Sequence, residues 1–370
     1  MKIQPVPEID KLQSCSVEKS LEDVHFESGL SALVHLAWGE NNWGPSPKVV
    51  RALRGELLGV NRYPDNSFQQ LKKAVADRHG VEPCEVVVGS GTVDLVELLV
   101  KAFVREGDEV IFSKPSHSGF SHTVVVHGGK IFQVPLKGME HDMETLKQVI
   151  SPSTRIVLLD NPAGSTGCAL SPAAIYHFLS EVPEKVMVVF DESFIDYMKE
   201  SLRVDIYSLI RNTENRCPAV FLRSFSTLYG LAGLRVGFGI MQRSIASIVE
   251  KVRTPFSVNR MAITGAIAAI EDEDYYQEII RKTLVEREYL IKSLEEQGCP
   301  VVASEGNFVL IDTGVDADLL TNSLLQQGFV VRSMKPYGFP NHIRVTVGKE
   351  EENSEFLENY IRCRGGLLHV

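Results

Sequence analysis

Short runs that are apolar at almost every position recur through the first two thirds of the chain, at 85–89, 109–112, 130–134, 155–160, 186–191, 219–223 and 235–240. Between them lie segments whose apolar residues follow helical spacing, such as 93–103. A strand with one wet face alternates apolar and polar positions, whereas a strand covered on both faces is apolar throughout. The seven runs therefore predict strands of a mostly parallel sheet with helices on both faces, an α/β fold.

Beyond about residue 244 the pattern changes. Long helical patterns at 245–252 and 262–297, the second broken near 271–275, precede short strands at 301–303, 308–312, 330–332 and 342–347 and a last helix from 351 to about 362. That alternation suits a smaller α+β domain. Residues 1–44 show too little periodicity to fold alone and read as an arm followed by a piece that joins the small domain. The organisation expected is thus 1–44, a large domain at 45–244 and a small one at 245–370. No internal repeat or low-complexity tract interrupts it.

Composition narrows the partners. With 370 residues, 44% hydrophobic content and 8% aromatic residues, the chain has enough apolar material for a large core and a companion domain. A formal net charge of -10 repels nucleic acid and anionic membranes at long range, so neither is an expected partner. The opening residues lack a signal-like apolar core and no run approaches a membrane span, so a cytoplasmic protein is expected. Cys15, Cys84, Cys168, Cys217, Cys299 and Cys363 are scattered without metal-ligand spacing, which predicts free thiols and no metal site.

Three places carry candidate chemistry. Gly89-Ser90-Gly91-Thr92-Val93-Asp94 joins a predicted strand to a predicted helix. Free backbone N–H groups and the helix dipole suit an anion there, and a tight turn with glycine at positive φ accounts for the same pattern. Asp191 closes a strand, which places a carboxylate at the carboxyl edge of the sheet, where open α/β folds bind ligands. It suits a protonated ring nitrogen or, alternatively, a helix cap. Arg235 with Ser224 and Ser226 offers a guanidinium fork and two hydroxyls to a phosphate dianion, the other use of such an arginine being an internal salt bridge.

These pieces in this order resemble fold-type I pyridoxal-phosphate (PLP) enzymes of aminotransferase classes I and II, most closely the histidinol-phosphate aminotransferases and their threonine-phosphate decarboxylase relatives. The resemblance runs over nearly the whole chain. It is carried by Gly39-Glu40-Asn41-Asn42-Trp43-Gly44-Pro45-Ser46-Pro47, Arg62-Tyr63-Pro64-Asp65, Gly91-Thr92, 160–167, 191–197, the stretch from Ser224 to Gly237, Asn307-Phe308 and Arg344-Val345-Thr346-Val347-Gly348. It implies that Asp191 contacts the pyridine nitrogen and that Gly91, Thr92, Ser224, Ser226 and Arg235 surround the cofactor phosphate. Tyr63 would reach that phosphate from a neighbouring subunit, so a homodimer with a shared active site is implied. Arg344 would bind the α-carboxylate of an amino-acid-like substrate, with Arg332 and Asn41 also in the substrate site.

The departures from the family gather in one region. In Ser224-Phe225-Ser226-Thr227-Leu228-Tyr229-Gly230, Thr227 stands where the family has its cofactor lysine. A hydroxyl cannot form the Schiff base that a lysine amine forms with an aldehyde. Gly164-Ser165 replaces an Asn-Pro pair, Phe194 replaces a tyrosine, and His117 takes the place of an aromatic residue that stacks on the ring. Three groups around the imine and phenolic oxygen depart together, which fits divergence better than a single deliberate replacement.

The lysine also moves protons in the ordinary reaction, and loss of a general acid or base costs roughly 10²–10⁴ in rate. His117 is a candidate replacement base because its ordinary pKa suits proton transfer. Lys335 is either an amine arriving from another direction or a solvated loop lysine. The expectation is an aminotransferase-family protein that binds PLP or pyridoxamine 5'-phosphate (PMP) non-covalently and acts on an amino-acid-like substrate. The alternative is a non-catalytic or repurposed homologue binding a phosphorylated ligand or partner in the old pocket.

Overall fold

The structure, a computed structural model, describes residues 21–30, 32–115, 118–211 and 217–368, together with Ile9 and Leu12. Its central sheet has seven strands in the order Val86–Gly89, Gly237–Met241, Ala219–Ser224, Met187–Asp191, Thr154–Asp160, Glu109–Lys114 and Lys130–Pro135. Gly237–Met241 runs antiparallel to both neighbours, and the remaining pairs are parallel.

Successive residues of each inner strand face opposite sides. Ile156 and Leu158 join Phe112, Val189 and Leu222 in one apolar cluster, while Val157 and Leu159 join Ile111, Phe190 and Phe221 in another. Both faces are covered, so the strands are apolar throughout, and the mostly parallel α/β expectation agrees with the structure. Helices fill the crossovers. Pro172–Glu181, for example, starts at Ser171, whose hydroxyl accepts the Ala174 N–H, and buries Phe178 and Leu179.

A second sheet is antiparallel, in the order Arg332–Ser333, His342–Thr346, Phe308–Asp312 and Val301–Val302. Helices Glu273–Glu296, Ala317–Gln326 and Glu350–Leu368 accompany it around Val309, Ile311, Leu324, Ile343 and Phe356. Val34–His35 pairs in parallel with Phe329–Val330, Leu36 is buried in this same cluster, and its carbonyl accepts the Thr346 N–H at 2.7 Å. Among the described residues, no helix is long and apolar enough to cross a membrane.

Several boundaries differ from the sequence expectation. Arg235 does not lead the strand expected at 235–240: it has a left-handed backbone at φ 55° and the strand is Gly237–Met241. The run at 330–332 divides into two-residue strands that pair with different partners. The last helix continues past its expected end, through Gly365 and Gly366 to Leu368, whereas the long helical segment breaks at Glu271 and Asp272, inside the span expected for its break.

The turn after Thr227 is held by close packing. Gly230 has φ +66°, and a Cβ there would lie 2.8 Å from the Gly44 carbonyl carbon and 2.9 Å from Pro45 N. The neighbouring Tyr229 carbonyl accepts the Tyr276 hydroxyl at 3.1 Å. Gly230→Ala should therefore cost about 1–3 kcal/mol, read as a lower urea midpoint. An unchanged midpoint would contradict this close approach.

Candidate functional site

The carboxyl ends of the parallel strands open onto a cavity of about 400 Å³, bounded on its other side by the antiparallel unit. Parallel register sets Asp160, at the end of Thr154–Asp160, directly beside Asp191, at the end of Met187–Asp191, and both line the cavity. Asp191 is 8% exposed; its Oδ1 accepts the Ser193 N–H at 3.0 Å and the Ser193 hydroxyl at 2.5 Å. Burial raises the Asp191 pKa from 3.8 to about 6, and the charge of Asp160 adds to the rise while the Ser193 hydrogen bonds oppose it.

Helix Thr92–Phe103 begins at the opposite wall, with Gly91 before it at φ +89°. A Cβ on Gly91 would lie 2.8 Å from Arg235 Nη2, so glycine leaves room for the guanidinium. Arg235 is exposed and donates to Ser226 Oγ at 3.4 Å and to the Ala232 carbonyl at 3.1 Å. Among the described residues it has no carboxylate partner within ion-pair distance. Ser224, 7% exposed, accepts the Ser226 N–H at 3.0 Å through its Oγ. Thr92, Ser224, Ser226 and Arg235 thus form a polar, cationic corner of the cavity.

Thr227 lies between this corner and Asp191. It is 6% exposed, and its hydroxyl donates to the Ser193 carbonyl at 2.7 Å. No lysine is among the described residues that line the cavity. Lys335 lies outside the lining and pairs with Asp316 at 2.6 Å and Asp318 at 3.4 Å.

The third wall carries two arginines. Arg344, 5% exposed, donates to the Gly164 carbonyl and, at 3.1 Å, to the Ala37 carbonyl, and it lies over the Phe308 ring. Arg332 donates to the Tyr337 hydroxyl and lies over that ring at 4.9 Å. Phe194 packs edge-on against Phe308 and faces Gly164, where a Cβ would be 3.6 Å from its Cε2.

Three described sequence candidates, Gly91, Asn41 and Tyr63, do not line this cavity, Gly91 standing just before the helix whose first residue, Thr92, does. Asn41 donates to the Leu228 carbonyl at 2.6 Å, which ties its loop to the Thr227 turn. Tyr63 is 79% exposed and stacks on Phe256 at 4.8 Å. His117 lies outside the described residues. The structure adds Asp160, Glu40, Ser165 and Tyr337 to the lining. Asp160 carries the same signal that singled out Asp191, a carboxylate closing an apolar strand, and only the parallel register shows that the two are neighbours.

The class I and II aminotransferase family model matches residues 31–359. A histidinol-phosphate aminotransferase of Desulfotalea psychrophila is 41% identical over 99% of this chain and 97% of its own length. One of Anaeromyxobacter sp. is 38% identical over 97% of this chain and 98% of its own. The crystal structure of histidinol-phosphate aminotransferase from Sinorhizobium meliloti in complex with pyridoxal-5'-phosphate superposes with a TM-score of 0.90 at 25% identity, covering 99% of each chain.

The raised Asp191 pKa has a sign that can be checked. A carboxyl whose folded value exceeds its unfolded value takes up a proton on folding, so its favourable contribution is complete at low pH and is lost as pH rises from about 4 to about 6. Asp191→Asn stays neutral. The stability of this variant relative to the wild type should rise across that window and level off above it, measured by urea denaturation at a series of pH values. A difference that is flat or falls with pH would refute the assignment.

Proposed function

The chain belongs to the class I and II aminotransferases, and we propose that it binds PLP or PMP non-covalently in this cavity and holds an amino-acid-like substrate beside it. The observation that carries the reading is a cavity with candidate anchoring groups on both sides of Thr227 and, among the described residues, no lysine in its lining. In this reading Thr227 stands at the family's lysine position.

The residues present fit the cofactor. Thr92, Ser224, Ser226 and Arg235 would hold its phosphate, because they line one cavity and, among the described residues, no carboxylate pairs with the guanidinium. Asp191 would pair with the pyridine nitrogen, an ion pair that offsets the burial of its charge. When bound, PLP supplies an electron-withdrawing ring that stabilises negative charge on a substrate carbon. Arg344, buried and already oriented by two carbonyls, would present its guanidinium to the substrate α-carboxylate, and Arg332 would meet the distal end.

Thr227 would hold the chain at Ser193 and would neither attach the cofactor nor move a proton. Rapid transamination by the family's lysine route is therefore not part of this reading. His117, which lies outside the described residues, is the proposed candidate for the proton acceptor. The cell interior, where this cofactor is held, is the compartment proposed.

A second copy of the chain is proposed to complete the site through Tyr63. The exposed Leu57, Leu58, Val60 and Tyr63 support this, since they form an apolar stretch that a partner would cover. Light scattering coupled to size exclusion should give a dimer mass; a monomer would remove Tyr63 from the site.

Titration with PLP should perturb its absorbance without a covalent adduct after borohydride treatment. Arg235→Ala should weaken binding by about tenfold or more, and Thr227→Lys should gain a lysine-linked mass adduct after borohydride. Absence of binding to the wild type would sink the proposal. A wild-type adduct on any lysine would contradict its non-covalent part.

A further inference from the structure

Asp160 is the carboxylate of this cavity that the anchoring scheme leaves without a partner. Its Oδ2 accepts the Gly164 N–H at 2.6 Å, and its Oδ1 lies 3.4 Å from His141 Nε2. The imidazole is itself held, with Nδ1 2.6 Å from Ser113 Oγ and Nε2 2.8 Å from the Asp160 carbonyl oxygen. The carboxylate is therefore fixed at the cavity wall. Among the described residues, it has no lysine or arginine within ion-pair distance.

A second observation points to a ligand at the same place. Ser165 is 7% exposed and lines the cavity, and its hydroxyl has no hydrogen-bond partner among the described residues. Buried hydroxyls are ordinarily bonded, so an orphan beside a cavity marks where a ligand group would sit. Glycine at 164 keeps the neighbouring space open: a Cβ there would lie 3.3 Å from Asp160 Oδ2. A fixed carboxylate and an unused hydroxyl acceptor suit a group rich in donors and positively charged. A primary ammonium has three donors and no acceptor.

We infer that Asp160, with Ser165 Oγ as a second acceptor, receives a protonated amine of the bound ligand and so selects the aminomethyl form of the cofactor over the aldehyde form; this rests on the cofactor-binding reading above. The amine would give Asp160 the ion-pair partner that no described lysine or arginine supplies. It would offset the charge of Asp160 while the protonated ring nitrogen offsets that of Asp191, at no covalent step.

The test compares PMP with pyridoxine 5'-phosphate, which has a neutral hydroxymethyl group of similar size where PMP has an ammonium. Calorimetry at neutral pH should show the wild type binding PMP more tightly by about tenfold or more. Asp160→Asn should abolish that preference, Ser165→Ala should reduce it, and Asp191→Asn should weaken both ligands while leaving it in place. Tight but equal binding of the two ligands by the wild type would overturn this inference and leave the cofactor reading standing. A preference that survives in folded Asp160→Asn would overturn it as well. Binding of neither ligand would overturn both readings, and the wild-type ratio and Ser165→Ala decide the matter if Asp160→Asn does not fold.

Discussion

Parallel pairing of Thr154–Asp160 with Met187–Asp191 forces two carboxylates side by side at the edge of the sheet. Water, which would ordinarily separate and stabilise them, reaches Asp191 very little. Burial and like charge both resist ionisation there. The surroundings answer this constraint group by group: Ser193 gives Asp191 two hydrogen bonds, Gly164 gives Asp160 one, and His141 stands against its other oxygen. None of these brings a permanent positive charge into contact with either carboxylate.

The opposite end of the cavity has the complementary problem. Arg235 carries a charge without a carboxylate among the described residues, at the start of a helix and beside two serines. The cavity thus carries carboxylates and guanidinium groups together, Asp160 and Asp191 with Arg235, Arg332 and Arg344. Thr227 sits between the two ends with its hydroxyl committed to Ser193. Among the described residues, the lining includes no lysine.

The fold was readable in the sequence because burial of a strand on both faces leaves a direct mark, an unbroken apolar run, and the central runs at 155–160 and 186–191 became strands within a residue of their expected bounds. Features set by tertiary context were not readable. The left-handed backbone at Arg235 follows from its approach to Gly91, which no local pattern announces. The two short strands around Val331 exist only because different partners lie on either side. Gly365 and Gly366 lower helix propensity, yet the final helix passes through both. The residue types of the site, including Asp191, Arg235, Arg344 and Thr227, were visible as a motif. The pairing of Asp160 with Asp191 was not, because register between strands belongs to neither strand alone.

The central claim is that this cavity holds its cofactor by the anchors at its two ends and by no covalent bond. Mass spectrometry of one PLP-loaded sample under native and then denaturing conditions tests it directly. The account predicts a protein mass increased by one cofactor per chain in the native spectrum and the bare chain after denaturation. A native spectrum without cofactor, or a cofactor mass that persists on the denatured chain, would contradict it.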